Sequence, residues 1–221
     1  MPRKSILLTF DDGYLDDWVY VHSVLERHGL KATMFLVTEW PQDLPKRPHA
    51  GQNAPPAYLP PTPTHKECKA LLSAGKSDDV IVRCSEVQAI KEAGTFEIHS
   101  HAYTHKRWDE LCATAADKRR FLAQDLATAH QTLQHYLGKA SEHLCWPQGY
   151  FDEDHLDVAR AAGFSHFYTT DAHDQNKSEQ DREYIYRLSV KNRAALQFAQ
   201  GILLARSTLL GPLYNRWKKS A

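Results

Sequence analysis

The chain alternates short apolar runs with longer stretches whose apolar residues recur every three or four positions. Ser5 to Phe10 is an apolar run of strand length, expected to be buried. Trp18, Val21 and Leu25 then share one helical face, with Asp16 or Asp17 placed to cap the helix and Gly29 to close it after His28. Ala32 to Val37 is the next strand, so the chain opens β-α-β, with Asp11 and Asp12 at the carboxyl end of the first strand. The rhythm resumes at Ser85, an N-cap with Gln88 three residues on, and runs through Val87 and Ile90 to Gly94 and a strand over 95–98. A long helix follows from Thr114, with Asp117 three on, along Leu122, Leu126, Ala129, Leu133 and Tyr136 to Gly138. His130 and His135 flank that stripe and read as surface residues. Beyond it come a short strand over 143–146, a helix capped by Asp152 and running through Leu156 and Ala159 to Gly163, and strands over 164–169 and 185–190. The last helix runs from about Arg193 to Leu204 on Leu196, Ala199 and Leu203.

Helices between strands imply parallel pairing with both faces of the sheet covered. Roughly six or seven strands point to an α/β fold, an irregular or incomplete (β/α)7-type barrel; a doubly wound open sheet is the alternative. Residues 1–221 are expected to form one domain. No Gly-x-Gly-x-x-Gly follows the first strand, which weakens nucleotide-binding versions of either fold. Residues 41–65 interrupt the pattern. Pro41, Pro45, Pro48, Pro55, Pro56, Pro60, Pro61 and Pro63 exclude a regular helix there, so this is an insertion or lid, either inert or one wall of a substrate cleft. His49 and His65 within it are expected to face solvent. The tail, about 205–221, mixes apolar residues with Arg216, Lys218 and Lys219, and can either pack on the domain or lie on a membrane surface.

Charge narrows the partners. Lys+Arg and Asp+Glu number 27 each, so there is no global electrostatic case for nucleic acid. The apolar stretch from Ile6 to Phe10 is too short for a signal-peptide core or a membrane span. The expected location is the cytoplasm, with the tail able to hold the chain at the inner membrane face. Cys68, Cys84, Cys112 and Cys145 form no Cys-x-x-Cys pair and suit free thiols in a reducing compartment.

Two polar runs at strand ends carry the candidate chemistry. Thr9-Phe10-Asp11-Asp12-Gly13 places adjacent carboxylates after one strand, and His101-Ala102-Tyr103-Thr104-His105 places two imidazoles four positions apart after another. Two imidazoles and one carboxylate make a three-ligand set for Zn²⁺ or another first-row divalent ion, with room for water. The second aspartate, pointing elsewhere, can accept a proton. Such an ion acidifies water and polarises a carbonyl, as amide or ester hydrolysis requires.

These runs, with Glu97-Ile98-His99-Ser100 before the imidazoles and Trp146-Pro147-Gln148-Gly149 further on, resemble the motifs of the NodB-type polysaccharide deacetylases in their order. Those are metal-dependent carbohydrate esterases that remove acetyl groups from sugars, and the likeness covers nearly all of the chain outside the proline-rich stretch and the tail. The resemblance implies Asp11 as general base, and Asp12, His101 and His105 as ligands of Zn²⁺, with Co²⁺, Ni²⁺ or Mn²⁺ as alternatives. It implies that water on the metal, deprotonated by Asp11, attacks the acetyl carbonyl, with a backbone N–H near Gln148 helping to hold the oxyanion. Tyr14, His99, Trp146, Pro147, Gln148 and Tyr150 are the candidate substrate contacts.

The departures are specific. His99 stands where the family usually has glycine, and either packs locally or touches the metal shell or substrate. The third motif usually opens with an arginine that steadies the base; here Cys145 and Trp146 precede Pro147, as in a related branch with an aromatic at that place. Trp146 is sugar-facing or core. The family's late histidine, which protonates the leaving amine, has no counterpart near Tyr186-Arg187-Leu188-Ser189-Val190, and His173 is the substitute. Cys145 reads as a buried thiol, without a base to make it a nucleophile. The resemblance thus implies an N-deacetylase acting on an acetylated sugar, a nucleotide-linked or lipid-linked precursor in surface-glycan or lipopolysaccharide assembly. An amidohydrolase acting on a small non-sugar amide, and a degenerate glycan-binding member, are the competing readings.

Overall fold

The protein is described by a computed structural model covering residues 6–52, 54–170, 176, 184–190, 194–205, 207 and 211. Five parallel strands lie side by side in chain order: β1 (Thr9–Asp12), β2 (Ala32–Leu36), β3 (Phe96–Ser100), β4 (His143–Cys145) and β5 (His166–Tyr168). Beyond β5, Ile185 alone bridges Tyr168 in parallel. The curled sheet is therefore an incomplete barrel, with five strands among the described residues where the sequence pattern promises six or seven. Most of the run over 185–190 lies outside any ladder because pairing stops at Ile185.

Strand alternation sorts the side chains. Met34, Ile98, Leu144 and Phe167 turn outward against helices α1 (His22–His28), α3 (Cys84–Ala93), α5 (Ala115–Leu137) and α6 (Glu153–Ala161). Phe35, Cys145 and Tyr168 turn inward and pack together. Left-handed glycines close three helices where expected: Gly29, Gly94 and Gly138. Thr114 and Asp152 cap α5 and α6 through their side chains.

Several local expectations shift. The first strand begins four residues later than the apolar run, at Thr9, so Asp11 and Asp12 are inside it; Ile6 and Leu7 are exposed. The turn before α1, Asp17–Val21, is π-helical and has no side-chain cap: Asp16 stands at the cap position already in helical conformation, and Asp17 is buried inside the turn. Helix α3 starts at Cys84, with Glu86 bonding back to the Arg83 amide, while the Ser85 hydroxyl reaches Leu44 O.

The proline-rich stretch is pinned to the body. Arg47 donates three hydrogen bonds to the fully buried Glu86 at 2.7–2.8 Å, two from its guanidinium and one from its amide, and caps the carbonyls of Asp78 and Ile81. His49 is buried, contrary to expectation: it bonds to Ser23 and packs edge-on against Trp18 and His22. His65 is exposed and begins α2 (His65–Ser73), capped by Thr64 with Glu67. Short α4 (Trp108–Leu111) precedes α5, and α7 (Ala195–Ala205) follows the Ile185 bridge. No helix among the described residues is long and apolar enough to cross a membrane.

Candidate metal centre

Two strand ends meet at the carboxyl edge of the sheet. At β1 the chain turns through Asp12 (φ 73°) and Gly13 (φ 79°), where an added Cβ would lie 2.4 Å from Leu36 Cδ1. After β3 it turns through Ala102 (φ 64°) and His105 (φ 60°). With Gln148 (φ 57°), these are the left-handed non-glycine residues among those described, and all belong to the three motifs. Backbone strain of about 1–3 kcal/mol per residue is tolerated where packing over-determines a functional geometry.

Those turns aim three side chains at one point. His101 Nδ1 lies 2.8 Å from Cys145 O; a carbonyl only accepts, so Nδ1 carries a proton, and the neutral ring would present a bare Nε2 to the cluster. That Nε2 is 3.4 Å from Asp12 Oδ1, and His105 Nε2 is 3.5 Å from the same oxygen. Asp12 Oδ1 is buried and has no hydrogen-bond partner. Burial, then the neighbouring His101, pushes the His105 pKa down to about 4, so its imidazole is neutral and able to ligate. Ligands about 2.0–2.2 Å from a tetrahedral ion stand roughly 3.3–3.6 Å apart. The set Asp12, His101 and His105 therefore fits a divalent ion, which would satisfy the orphaned oxygen. Asp11, His101 and Cys145 also cluster, but there both Asp11 oxygens are engaged by Arg187, and burial and then the Asp11 charge push the Cys145 thiol up.

The histidine turn is held from behind by Asp125 of α5. Its carboxylate is buried and accepts from the amides of Tyr103 (3.0 Å) and Thr104 (3.1 Å) and from the Thr104 hydroxyl. The sequence signal was present: a carboxylate between Leu122 and Ala129 on the apolar stripe has to be paired inside.

Asp11 is gripped by Arg187. Arg187 Nη1 is 2.6 Å from Asp11 Oδ1 and Nη2 is 2.8 Å from Oδ2, a bidentate fork. The same guanidinium donates to Thr169 O and contacts Cys145 Sγ at 2.9 Å. Burial raises the Asp11 pKa, but the Arg187 hydrogen bonds, with the charges of His101 and Arg187, outweigh it and leave the carboxyl lowered. The sequence reading missed this residue. The resemblance puts an arginine beside this carboxylate at the third motif, where this chain has Cys145 and Trp146; an arginine arrives instead two residues after the Ile185 bridge, across the open side of the sheet.

The substrate-contact candidates divide. Tyr14 is half-buried beside Asp12; burial and then that charge push its phenol up. Gln148 and Tyr150 are exposed at the edge, and Arg107 stacks 4.1 Å from the Tyr150 ring. Pro147 is buried, and Gly149 approaches Thr170 so closely that a Cβ would lie 2.6 Å from its amide. Trp146 belongs to the core: it is 1% exposed and stacks on Phe151 and Phe167. His99 also lies away from the cleft. It shares the inward face with His101 but sits one layer, roughly 6.6 Å, further down the strand. There its Nδ1 meets Ser141 Oγ and its ring stacks on His143, which stacks in turn on His166, its partner in the β4–β5 register. His173 lies outside the described residues.

Residues 1–167 match the family model described as polysaccharide deacetylase. Among curated proteins, a presumed polysaccharide deacetylase of Bacillus subtilis (strain 168), YxkH, is 47% identical over 35 residues, 16% of this chain and 12% of that protein's length. Among solved structures, a de-N-acetylase from Aggregatibacter actinomycetemcomitans superimposes with a TM-score of 0.66 at 20% identity, covering 91% of this chain and 76% of that one. IcaB from Ammonifex degensii gives 0.63 at 17% over 94% and 75%. Streptococcus pyogenes deacetylase PplD, in complex with acetate, gives 0.64 at 15% over 91% and 72%. At these identities the structures share the fold.

Proposed function

The chain belongs to the polysaccharide deacetylase family, and on that premise we propose that it is a metal-dependent hydrolase that removes the acetyl group from an N-acetylated sugar, a precursor in surface-glycan or lipopolysaccharide assembly. The observation that carries this reading is the buried, unpartnered Asp12 Oδ1 facing two imidazole nitrogens, with an arginine-held carboxylate on the adjacent residue.

Asp12, His101 and His105 hold the ion, and zinc suits their nitrogen and oxygen donors. When bound, the ion supplies Lewis acidity, polarising a carbonyl oxygen and acidifying water. Asp11 takes the proton from the attacking water. Its lowered pKa keeps it ionised and ready to accept at neutral pH, and the Arg187 fork fixes where its oxygens point. The same carboxyl can then return that proton to the departing nitrogen. A backbone N–H near Gln148, in the left-handed turn there, helps to hold the developing oxyanion; the Gly149 amide is already bonded to Trp146 O at 2.8 Å.

The test is acetate release from a panel of N-acetyl sugars by the zinc-loaded protein and its Asp11→Asn variant. We expect the variant to lose about 10²- to 10⁴-fold in rate while still binding zinc. An unchanged rate would remove Asp11 as the base. Zinc binding without acetate release from any sugar would leave a glycan-binding member or an amidohydrolase acting on another amide.

A further inference from the structure

We propose that Trp40 is a sugar-stacking platform at the mouth of the metal centre, a specificity-determining residue that favours sugars over small amides; this rests on the centre being a deacetylase of acetylated sugars. The strands lie in the order β1 to β5, so the segments leaving their carboxyl ends stand side by side. β3 delivers His101 and His105. Trp40 leaves β2 on one side of that turn, and Tyr150 follows β4 on the other. The exit from β2 is tied to the histidine turn: the Thr38 amide donates to Ala102 O (3.3 Å) and the Glu39 amide to Tyr103 O (3.1 Å). Trp40 comes next, and its ring centre lies 5.6 Å from that of His105, tilted by 47°. The indole also packs against the larger core cluster, and Pro41 after it is buried, so the ring is half-buried and held in place.

Among the described residues Trp40 is the tryptophan whose ring meets a ligand imidazole. Trp18 and Trp146 are buried in the core, and Trp108 stacks on Phe121. A pyranose ring carries C–H bonds on its faces and hydroxyls around its rim. A flat aromatic surface buries a C–H face and leaves the hydroxyls to water or to polar neighbours. A half-buried indole suits that task, because core packing has already fixed its rotamer and binding costs little further side-chain entropy. Tyr150, 42% exposed with the Arg107 guanidinium 4.1 Å from its ring centre, gives the far side of the histidine turn a second flat surface. A small amide needs only the metal ligands and the base. Aromatic surfaces on both flanks of the ligand turn suit a substrate with a ring beyond its acetyl group.

The experiment compares the zinc-loaded whole chain with Trp40→Leu, which keeps an apolar side chain on the core but removes the flat face, and with Trp40→Phe, which keeps an aromatic one. Acetate release is followed on the N-acetyl sugar that the wild type hydrolyses fastest. Calorimetric titration of N-acetyl sugars into Asp11→Asn protein, with and without Trp40→Leu, reads binding without turnover. All are measured well below the melting temperature of each variant. Trp40→Leu should raise KM about tenfold with kcat changed by less than about threefold, and should weaken sugar binding in the Asp11→Asn background by a similar factor. Trp40→Phe should recover most of both, and zinc affinity in a chelator competition should not move. Unchanged KM and sugar affinity in Trp40→Leu, with acetate still released, would overturn the platform and leave the deacetylase standing. A fall in kcat and zinc affinity at constant KM would also overturn it, since Trp40 would then only prop His105. Sugar binding that weakens in Trp40→Leu, without acetate release from any sugar by the wild type, would support the platform and sink the deacetylase. No sugar binding at all would overturn both.

Discussion

Replacing Arg187 by methionine should weaken both the fold and the base. The change removes the fork on Asp11, with its 2.6 and 2.8 Å hydrogen bonds, and the 3.0 Å bond to Thr169 O. Each hydrogen bond to a charged group contributes about 1.5–3 kcal/mol, but the Asp11 side chain is 31% exposed and water will replace part of what is lost. A net cost of about 2–3 kcal/mol follows, or roughly 4–12 °C in melting temperature for a chain of this size. The sign of the pH dependence is fixed by the direction of the shift. Asp11 is depressed in the folded state, so the pair stabilises above the ordinary carboxylate range, and that contribution is lost as pH falls through the folded value. Without Arg187, burial is less opposed and the Asp11 pKa moves up. The stability gap between wild type and variant should therefore be widest near neutrality and narrow in acid. In metal-loaded protein the acid limb of acetate release should move to higher pH. Urea melts at several pH values and a pH–rate profile measure both, and Arg187→Lys, with charge but no fork, should fall between. Superimposable melts at neutral pH together with coincident acid limbs would refute the assignment.

Two further outcomes are expected. Asp125→Asn should weaken zinc binding by about 10- to 100-fold in a chelator competition, because the turn carrying His101 and His105 loses its charged anchor. Equal affinity would show that the turn holds itself. Arg47→Met should cost about 3–5 kcal/mol in denaturant melts, since it strands the fully buried Glu86, and should free the proline-rich segment to proteolysis; a change below about 1 kcal/mol would contradict the pinning.

Much of the site was legible from local pattern. The Asp pair and the two histidines stand at strand ends because apolar runs of strand length precede them, and helix stops at Gly29, Gly94 and Gly138 are conformational necessities that one residue can announce. Cap residues such as Thr114 and Asp152 act within a single turn, so they too were readable. Side chains whose role depends on the layer they occupy were not. His99 and His101 differ by two positions and share a face, yet only the second reaches the edge where Asp12 lies; the register across β3, β4 and β5 places the first in a histidine stack. Trp146 reads equally well as sugar platform or core, and packing on Phe151 and Phe167 decides for core. Arg187 and Asp11 are 176 positions apart. Local sequence specified which carboxylates and imidazoles stand at the strand ends, the strand–helix alternation and the caps, all of which depend on neighbours within a few residues. The tertiary structure alone decided that an arginine from beyond β5 grips the carboxylate of β1, because that contact exists only once the sheet has curled.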